Sequence, residues 1–412
     1  MNNPRGMNNP RGLRMTKGAN VPNDRASSQD LQRRILNGIS GKYRFIPVLV
    51  AIALIWVFFY AMNDRFLSPR NLTNLAVQIV VTAILALGLV LVLIVKEIDL
   101  SVAALSAVTS AVMGYLLVTL GLPSWLCLLA AIVTGAVVGL VQGLIISRFR
   151  APAFIVTLGT SLAMQGVLLM LLPRSGSIPL SGTDIQWIAN SFLPPMAGYL
   201  LLAVGIGVVA ALLVQSSNHK RRLGIAQSIA SNVLLPIATL SLAGGVFVAI
   251  LSLDRGVPTP VAILIVLLSI MAYVTTQTKF GTYLYAIGGN VEASRRAAIN
   301  VGLIRIYTFM IAGALAGIAG IISASRTLGV SAQSGSGTLL LEAVAAAVIG
   351  GASLFGGRGS VWAALLGALL IGSITNGLSL LSAPTEIKYL VQGLILVLAV
   401  TADGLLSRDA KS

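Results

Sequence analysis

The segment Lys96-Glu97-Ile98-Asp99-Leu100-Ser101 places two carboxylates and a hydroxyl between two long apolar runs. Ionisable groups near the membrane are costly to bury, so they face water, a partner or a cavity, and they often mark transport pathways. Their oxygens could accept hydrogen bonds from the hydroxyls of a sugar. The same six residues also read as a wet turn, with Asp99 capping a helix that starts at Val102. Glu342 opens a second such place, ahead of a short apolar run with Gly350-Gly351 at its end and Gly356-Gly357 beyond. Paired glycines there fit either a broken or re-entrant helix beside a translocation path or close packing between helices. A third place is Pro152 to Thr160, where Phe154 and Thr157, three residues apart, are expected to share a helical face. A ring beside a hydroxyl suits the apolar C–H face and polar edge of a sugar, and it also suits ordinary packing.

A further stretch stands out by its polarity. From Phe280 to Val301 the chain is too polar for lipid, and it carries Ala, Arg and Glu from Val291 onward after Gly288-Gly289-Asn290. This predicts a short surface helix behind a flexible Gly-Gly-Asn break. Other chemistry finds no support in the sequence. The single cysteine, Cys127, and single histidine, His219, exclude a disulfide framework, a zinc site and a Cys/His catalytic pair within one chain. No GxxxxGK followed by Ser or Thr occurs, so ATP hydrolysis by this chain is not expected, nor is there the scatter of mid-helix ionisable residues typical of proton-coupled pumps.

The elements that must position these groups are membrane helices. Apolar residues make up 56% of the 412 positions and charged residues 10%, a balance that excludes a soluble globular domain of this length. Twelve apolar runs are expected to be helical: 45–62, 72–95, 102–120, 124–146, 154–172, 196–214, 228–251, 259–275, 306–325, 340–355, 360–381 and 389–402. Interruptions around 96–101 and 340–360 predict some half-helices or re-entrant segments, so the fold class is an all-α polytopic transmembrane bundle of ten to twelve spans. Gly135 to Gly139 and Gly313 to Gly317 place small residues one turn apart, where neighbouring backbones can approach closely.

The net charge of +16 invites thoughts of nucleic acid, but the basic residues flank the apolar runs and serve orientation instead. With the N-terminus inside, 20 of the 28 Lys and Arg residues fall on the inner side, including Arg148, Arg150, Lys220 to Arg222 and the 276–305 loop. Both termini are therefore expected to be cytoplasmic, 1–44 as a disordered basic tail with MNNPRG twice in succession and 406–412 as a short one. The tail lacks the short apolar core and cleavage site of a secretory signal. The spans occupy 45–405.

Four motifs in order make the chain recognisable: IDLSV at Ile98 to Val102, PAFIVTLGT at Pro152 to Thr160, YAIGGNVEASR at Tyr285 to Arg295, and EAVAAAVIGGASLFGGRGSV at Glu342 to Val361. Together they resemble the ribose/xylose/galactose-type permease subunits of bacterial carbohydrate ABC importers over about residues 45–405. Asp254 to Pro260 and the basic loop near Lys220 are most similar to the D-xylose branch. The resemblance implies an inner-membrane subunit that pairs with a second permease copy among the membrane lipids, receives sugar from a periplasmic binding protein, and is driven by a cytoplasmic ATPase. It implies no cofactor in this chain, ATP and magnesium being bound by the ATPase, and alternating access for a monosaccharide. Carried onto this sequence, it makes Ala286 to Ile299 the coupling helix, with Ala286, Gly288, Gly289, Asn290, Glu292, Ala293, Arg295 and Arg296 as the ATPase-coupling residues. Glu97, Asp99, Ser101, Phe154, Thr157 and Glu342 are the expected pathway residues. The chain departs from the family pattern at Ala103 after IDLSV, at Ala297-Ala298 in place of a frequent Ser-Gly, and at Lys96. The alternative expectation is an ion-coupled secondary sugar transporter using Glu97, Asp99 or Glu342 as cation sites.

Overall fold

Apart from Thr82, residues 79–94 are apolar on every face, as suits a helix kept from water on all sides. The computed structural model, which describes residues 45–222 and 228–409, places this helix at the centre. The tail expected over 1–44, the side chains of Lys220 and Arg222, residues 223–227 and residues 410–412 lie outside the described residues.

Helix α1 (Ile46–Met62) leads through a 3-10 turn at Asp64–Leu67 into α2 (Pro69–Ile94), the central helix. Pro69 at its first turn lacks an N–H that would go unsatisfied there, and the Ser68 hydroxyl accepts from the amide of Asn71. The chain continues through α3 (Val102–Gly114, prolonged by a π turn at Tyr115–Thr119), α4 (Ser124–Phe149) and α5 (Ala153–Leu171). It then runs through the short α6 (Gln186–Asn190), α7 (Pro195–Arg222), α8 (Leu235–Ser252) and α9 (Thr259–Gln277). Next come α10 (Lys279–Gly289), α11 (Val291–Arg296), α12 (Val301–Thr327), α13 (Gly337–Ile349), α14 (Val361–Leu380) and α15 (Thr385–Asp409). Two small antiparallel pairs tie the connections at one end: β1 (Ser177–Pro179) with β4 (Gly329–Ser331), and β2 (Phe192–Leu193) with β3 (Val257–Pro258).

Each of the twelve expected apolar runs overlaps a helix, although 340–355 extends six residues past the end of α13 at Ile349. Nine helices among the described residues are long and apolar enough to cross a membrane, and Ile46–Met62 and Gly337–Ile349 are shorter apolar helices. The 13 residues of α13 span about 20 Å, short of a bilayer core of about 30 Å, in keeping with the expected interruption near 340–360. The last helix continues to Asp409, past the expected boundary at 405.

The core is knitted from small residues and paired amides. The two glycine-rich stretches meet each other: a Cβ at Gly135 would strike the carbonyl of Gly313, and one at Gly139 the carbonyl of Phe309. The backbones of α4 and α12 thus touch directly, a contact that substitutes for the hydrophobic drive missing in lipid. Asn71 of α2 and Asn376 of α14 exchange amide hydrogen bonds of 2.9 and 3.2 Å, which satisfies both in a buried position. Helices α5, α7 and α8 are exposed along most of their length and apolar there, as a lipid-facing rim would be.

Candidate functional site

Three stretches converge at one end of the bundle: residues 95–98 after α2, the end of α10 with α11, and the turn 350–360 between α13 and α14. Gly288 is buried at their junction, and a Cβ there would strike the carbonyl of Ile94 and the backbone of Gly357. The Gly357 amide donates to the Ile94 carbonyl at 3.0 Å, the Tyr285 hydroxyl to Gly359 O at 3.0 Å, and Lys96 Nζ to Gly289 O at 3.2 Å. The residue that looked unusual beside Glu97 is therefore part of the junction. Gly288 and Gly289 lie within α10, where the sequence suggests a break. Gly288 is glycine because two backbones press on it, and the chain breaks only at extended Asn290.

Asn290 caps α11, its side chain accepting from the Ala293 amide at 3.0 Å. The surface helix expected to run on towards Ile299 ends at Arg296, and Ala298 adopts a left-handed φ of 59°. Glu292, Ala293, Arg295 and Arg296 are all exposed, Glu292 standing 3.8 Å and 3.9 Å from the two arginines, while Ser294 faces inward and Ala286 is half-buried. A left-handed alanine costs about 1–2 kcal/mol relative to what glycine tolerates. Ala298→Gly is accordingly expected to raise stability by roughly 1 kcal/mol, read as a higher melting temperature in detergent, and an unchanged or lower one would contradict the strain.

Glu97 leaves the junction to meet Arg305 of α12 at 2.8 Å, both side chains largely covered. Burial pushes the Glu97 carboxyl above its ordinary range, and the guanidinium partly offsets this. Asp99 is buried and accepts from both the amide and the hydroxyl of Ser101, at 2.8 and 2.7 Å. Gln142 donates to Ser101 Oγ at 2.7 Å, and Leu100 N donates to Thr157 Oγ1 at 3.1 Å. Asp99 thus fixes the loop ahead of α3, although no side chain caps that helix itself. Thr157 is fully buried in this cluster, whereas Phe154 is exposed, so the two do not share a face. A spacing of three turns the helix by 300°, and the edge of the buried surface falls between them.

Burial pushes the Asp99 carboxyl up, against the two Ser101 hydrogen bonds that lower it. A raised folded value means that the fold favours the protonated acid. Stability is lost as pH rises above the ordinary carboxylate range, and the loss is complete above the folded value. Asp99→Asn keeps an acceptor for both Ser101 donors and removes the charge. Its melting temperature is expected to gain on the parent as pH is raised from about 4 to about 8, and a gap that is constant with pH would count against the buried charge.

Glu342 lies elsewhere, in a cavity of about 130 Å³ between α2, α12, α13 and α14 that Gln78, Thr82, Ser323, Arg326 and Thr375 also line. Gln392 of α15 donates to Glu342 Oε1 at 2.9 Å and to Thr375 Oγ1 at 3.1 Å, and Thr82 lies 3.5 Å from Oε2. Arg326 faces this carboxylate without a close ion pair. Only Glu342 stands out in sequence; its polar neighbours are single residues inside long apolar runs, and only the packing assembles them. A cavity of about 150 Å³ holds benzene, so this one is too small for a pentose in the present conformation. No cluster of His, Cys, Asp and Glu suited to a metal occurs among the described residues.

Residues 71–400 match the family described as branched-chain amino acid transport system / permease component. The chain belongs to this permease family. The permease is 37% identical to the xylose transport system permease protein XylH of Escherichia coli K12 over 88% of this chain and 92% of the relative. It is 38% identical to XylH of Haemophilus influenzae Rd, over 86% and 95%, and 31% identical to the ribose import permease protein RbsC of E. coli K12, over 87% and 92%. No solved structure matches the permease. Its relatives are transport subunits, and its apolar helices make it a multi-pass membrane protein.

Proposed function

We propose that this permease is the transmembrane subunit of an ATP-driven importer that carries D-xylose inward across the bacterial inner membrane by alternating access. The observation that carries the substrate is similarity along nearly the whole chain to xylose permeases. A separate cytoplasmic ATPase, which holds ATP and magnesium, docks on α11 and the end of α10; a periplasmic binding protein delivers sugar at the opposite end. Two copies form the working pore within the lipid, and both termini are cytoplasmic. The charge distribution along the sequence supports that orientation.

Coupling follows from the contacts of Gly288. A rigid-body push on α11 reaches α2 through Ile94 and α14 through the 350–360 turn, because both backbones abut α10 without intervening side chains. Of the pathway residues, Glu342 with Gln78, Thr82, Thr375 and Gln392 is the polar lining that an opened path would offer to sugar hydroxyls. Glu97, Asp99, Ser101 and Thr157 instead brace the loop ahead of α3 against α4, α5 and α12, away from that lining, and Phe154 faces outward. Labelled D-xylose uptake tests the substrate, in cells that lack pentose importers and express this chain with its matched ATPase and binding protein. Uptake suppressed by unlabelled xylose is the expected result. Uptake suppressed by ribose or arabinose and not by xylose would change the substrate.

A further inference from the structure

The turn that ends α2 has the hydrogen bonds of a helix closed by glycine, yet a lysine stands at its left-handed position. The Glu97 amide donates to Val92 O at 3.2 Å and the Lys96 amide to Leu93 O at 2.9 Å, the pair of bonds that forms when the residue after a helix cap turns left-handed. Lys96 is that residue, with a φ of 65°. Glycine adopts this conformation without strain and lysine does not, so the backbone gains nothing from a side chain here. Strain kept inside a packed junction points to something that the side chain supplies.

It supplies a cation where two helices end together. A Cβ at Gly288 would strike the Ile94 carbonyl, so the carboxyl ends of the 26-residue α2 and the 11-residue α10 meet there. Each end carries partial negative charge, and the two repel. Lys96 Nζ donates to Gly289 O, the last carbonyl of α10, at 3.2 Å, while the Lys96 backbone closes α2. One residue thus caps both helices. A Cβ at Gly356 would strike Lys96 Cγ, so the turn between α13 and α14 also fixes the direction of the lysine stem. We infer that Lys96 is a positioning residue of the coupling junction: it holds the end of α10 to the end of α2, so that a push on α11 is passed on and not lost as the two ends separate. The link to transport rests on the coupling role proposed above, whereas the holding itself does not.

The test follows hydrogen–deuterium exchange of the purified full chain in detergent, without ATPase, in Lys96→Gly, Lys96→Ala and Lys96→Arg. Exchange over residues 286–296 is expected to be about fivefold faster in the glycine and alanine variants and to return toward the parental rate in the arginine variant. Lys96 is exposed and Lys96→Gly relieves the strained φ, so that variant should melt no lower than the parent. A merely structural side chain would instead lower the melting temperature and speed exchange throughout the bundle. That result, or an unchanged rate over 286–296, would overturn the inference. Xylose uptake is expected to fall about fivefold in Lys96→Gly despite its stability, and to recover in Lys96→Arg. Parental uptake by Lys96→Gly, with exchange over 286–296 nonetheless faster, would overturn the part of Lys96 in coupling. A parent that takes up no xylose would contradict the importer, and a rise in exchange confined to 286–296 would then still support the hold of Lys96 on α10.

Discussion

Xylose uptake is expected to fall about a hundredfold when Gly288 is replaced by valine, while the protein still inserts and elutes as one species in detergent. The side chain would enter a space already filled by the Ile94 carbonyl and the Gly357 backbone, atoms that cannot rotate away as a side chain can. Overpacking of that kind costs up to about 3 kcal/mol, or about two orders of magnitude when it falls on the step that transmits the push. Gly166→Val, on the exposed face of α5 and outside the proposed docking surface, is the control. A Cβ at Gly166 meets nothing within 4 Å, and uptake should stay within about threefold of the parent. Reversing Arg295 and Arg296 to Glu leaves that junction intact and is expected to abolish uptake by spoiling the docking surface. Equal uptake by the Gly288 and Gly166 variants would sink the role of the junction.

The second large effect concerns the ion pair between Glu97 and Arg305. Both groups are largely covered, and the Arg305 Nε already lacks an acceptor, so losing Glu97 leaves a cation with little solvent. Breaking a buried pair from one side costs about 3–5 kcal/mol. Either Glu97→Gln or Arg305→Gln should therefore lower the melting temperature in detergent substantially. The exchange of both charges, Glu97→Arg with Arg305→Glu, should recover part of the loss. Single variants as stable as the parent would show that water reaches the pair freely, contrary to its burial. The pairing also bears on the ion-coupled alternative, since a carboxylate held at 2.8 Å by arginine is poorly available to a cation.

The helices were legible because each is a run of apolar residues bounded by polar ones, and the bilayer tolerates little else. The contact between α4 and α12 was legible in part: glycines one turn apart announce close packing, although only the fold reveals that Gly135 and Gly313 touch each other. Gly288 illustrates why the rest was not. Glycine serves both flexible hinges and tight contacts, and the sequence alone does not say whether another backbone lies opposite. Glu97 stood out at once, but its partner Arg305 is in a distant helix that reads as an ordinary basic flank. For Phe154 and Thr157, helical spacing alone was too coarse, because a buried surface ends somewhere along the helix circumference. The neighbours of Glu342 are isolated polar residues within spans, and nothing in their local sequence marks them as a set.

ATP hydrolysis in liposomes containing this chain, a matched ATPase subunit and a xylose-loaded binding protein tests the importer mechanism most directly. Hydrolysis is expected to be stimulated only when all three proteins and xylose are present, and to lose that stimulation in Gly288→Val. Xylose accumulation by this chain alone, driven by a proton or sodium gradient without any ATPase, would contradict it.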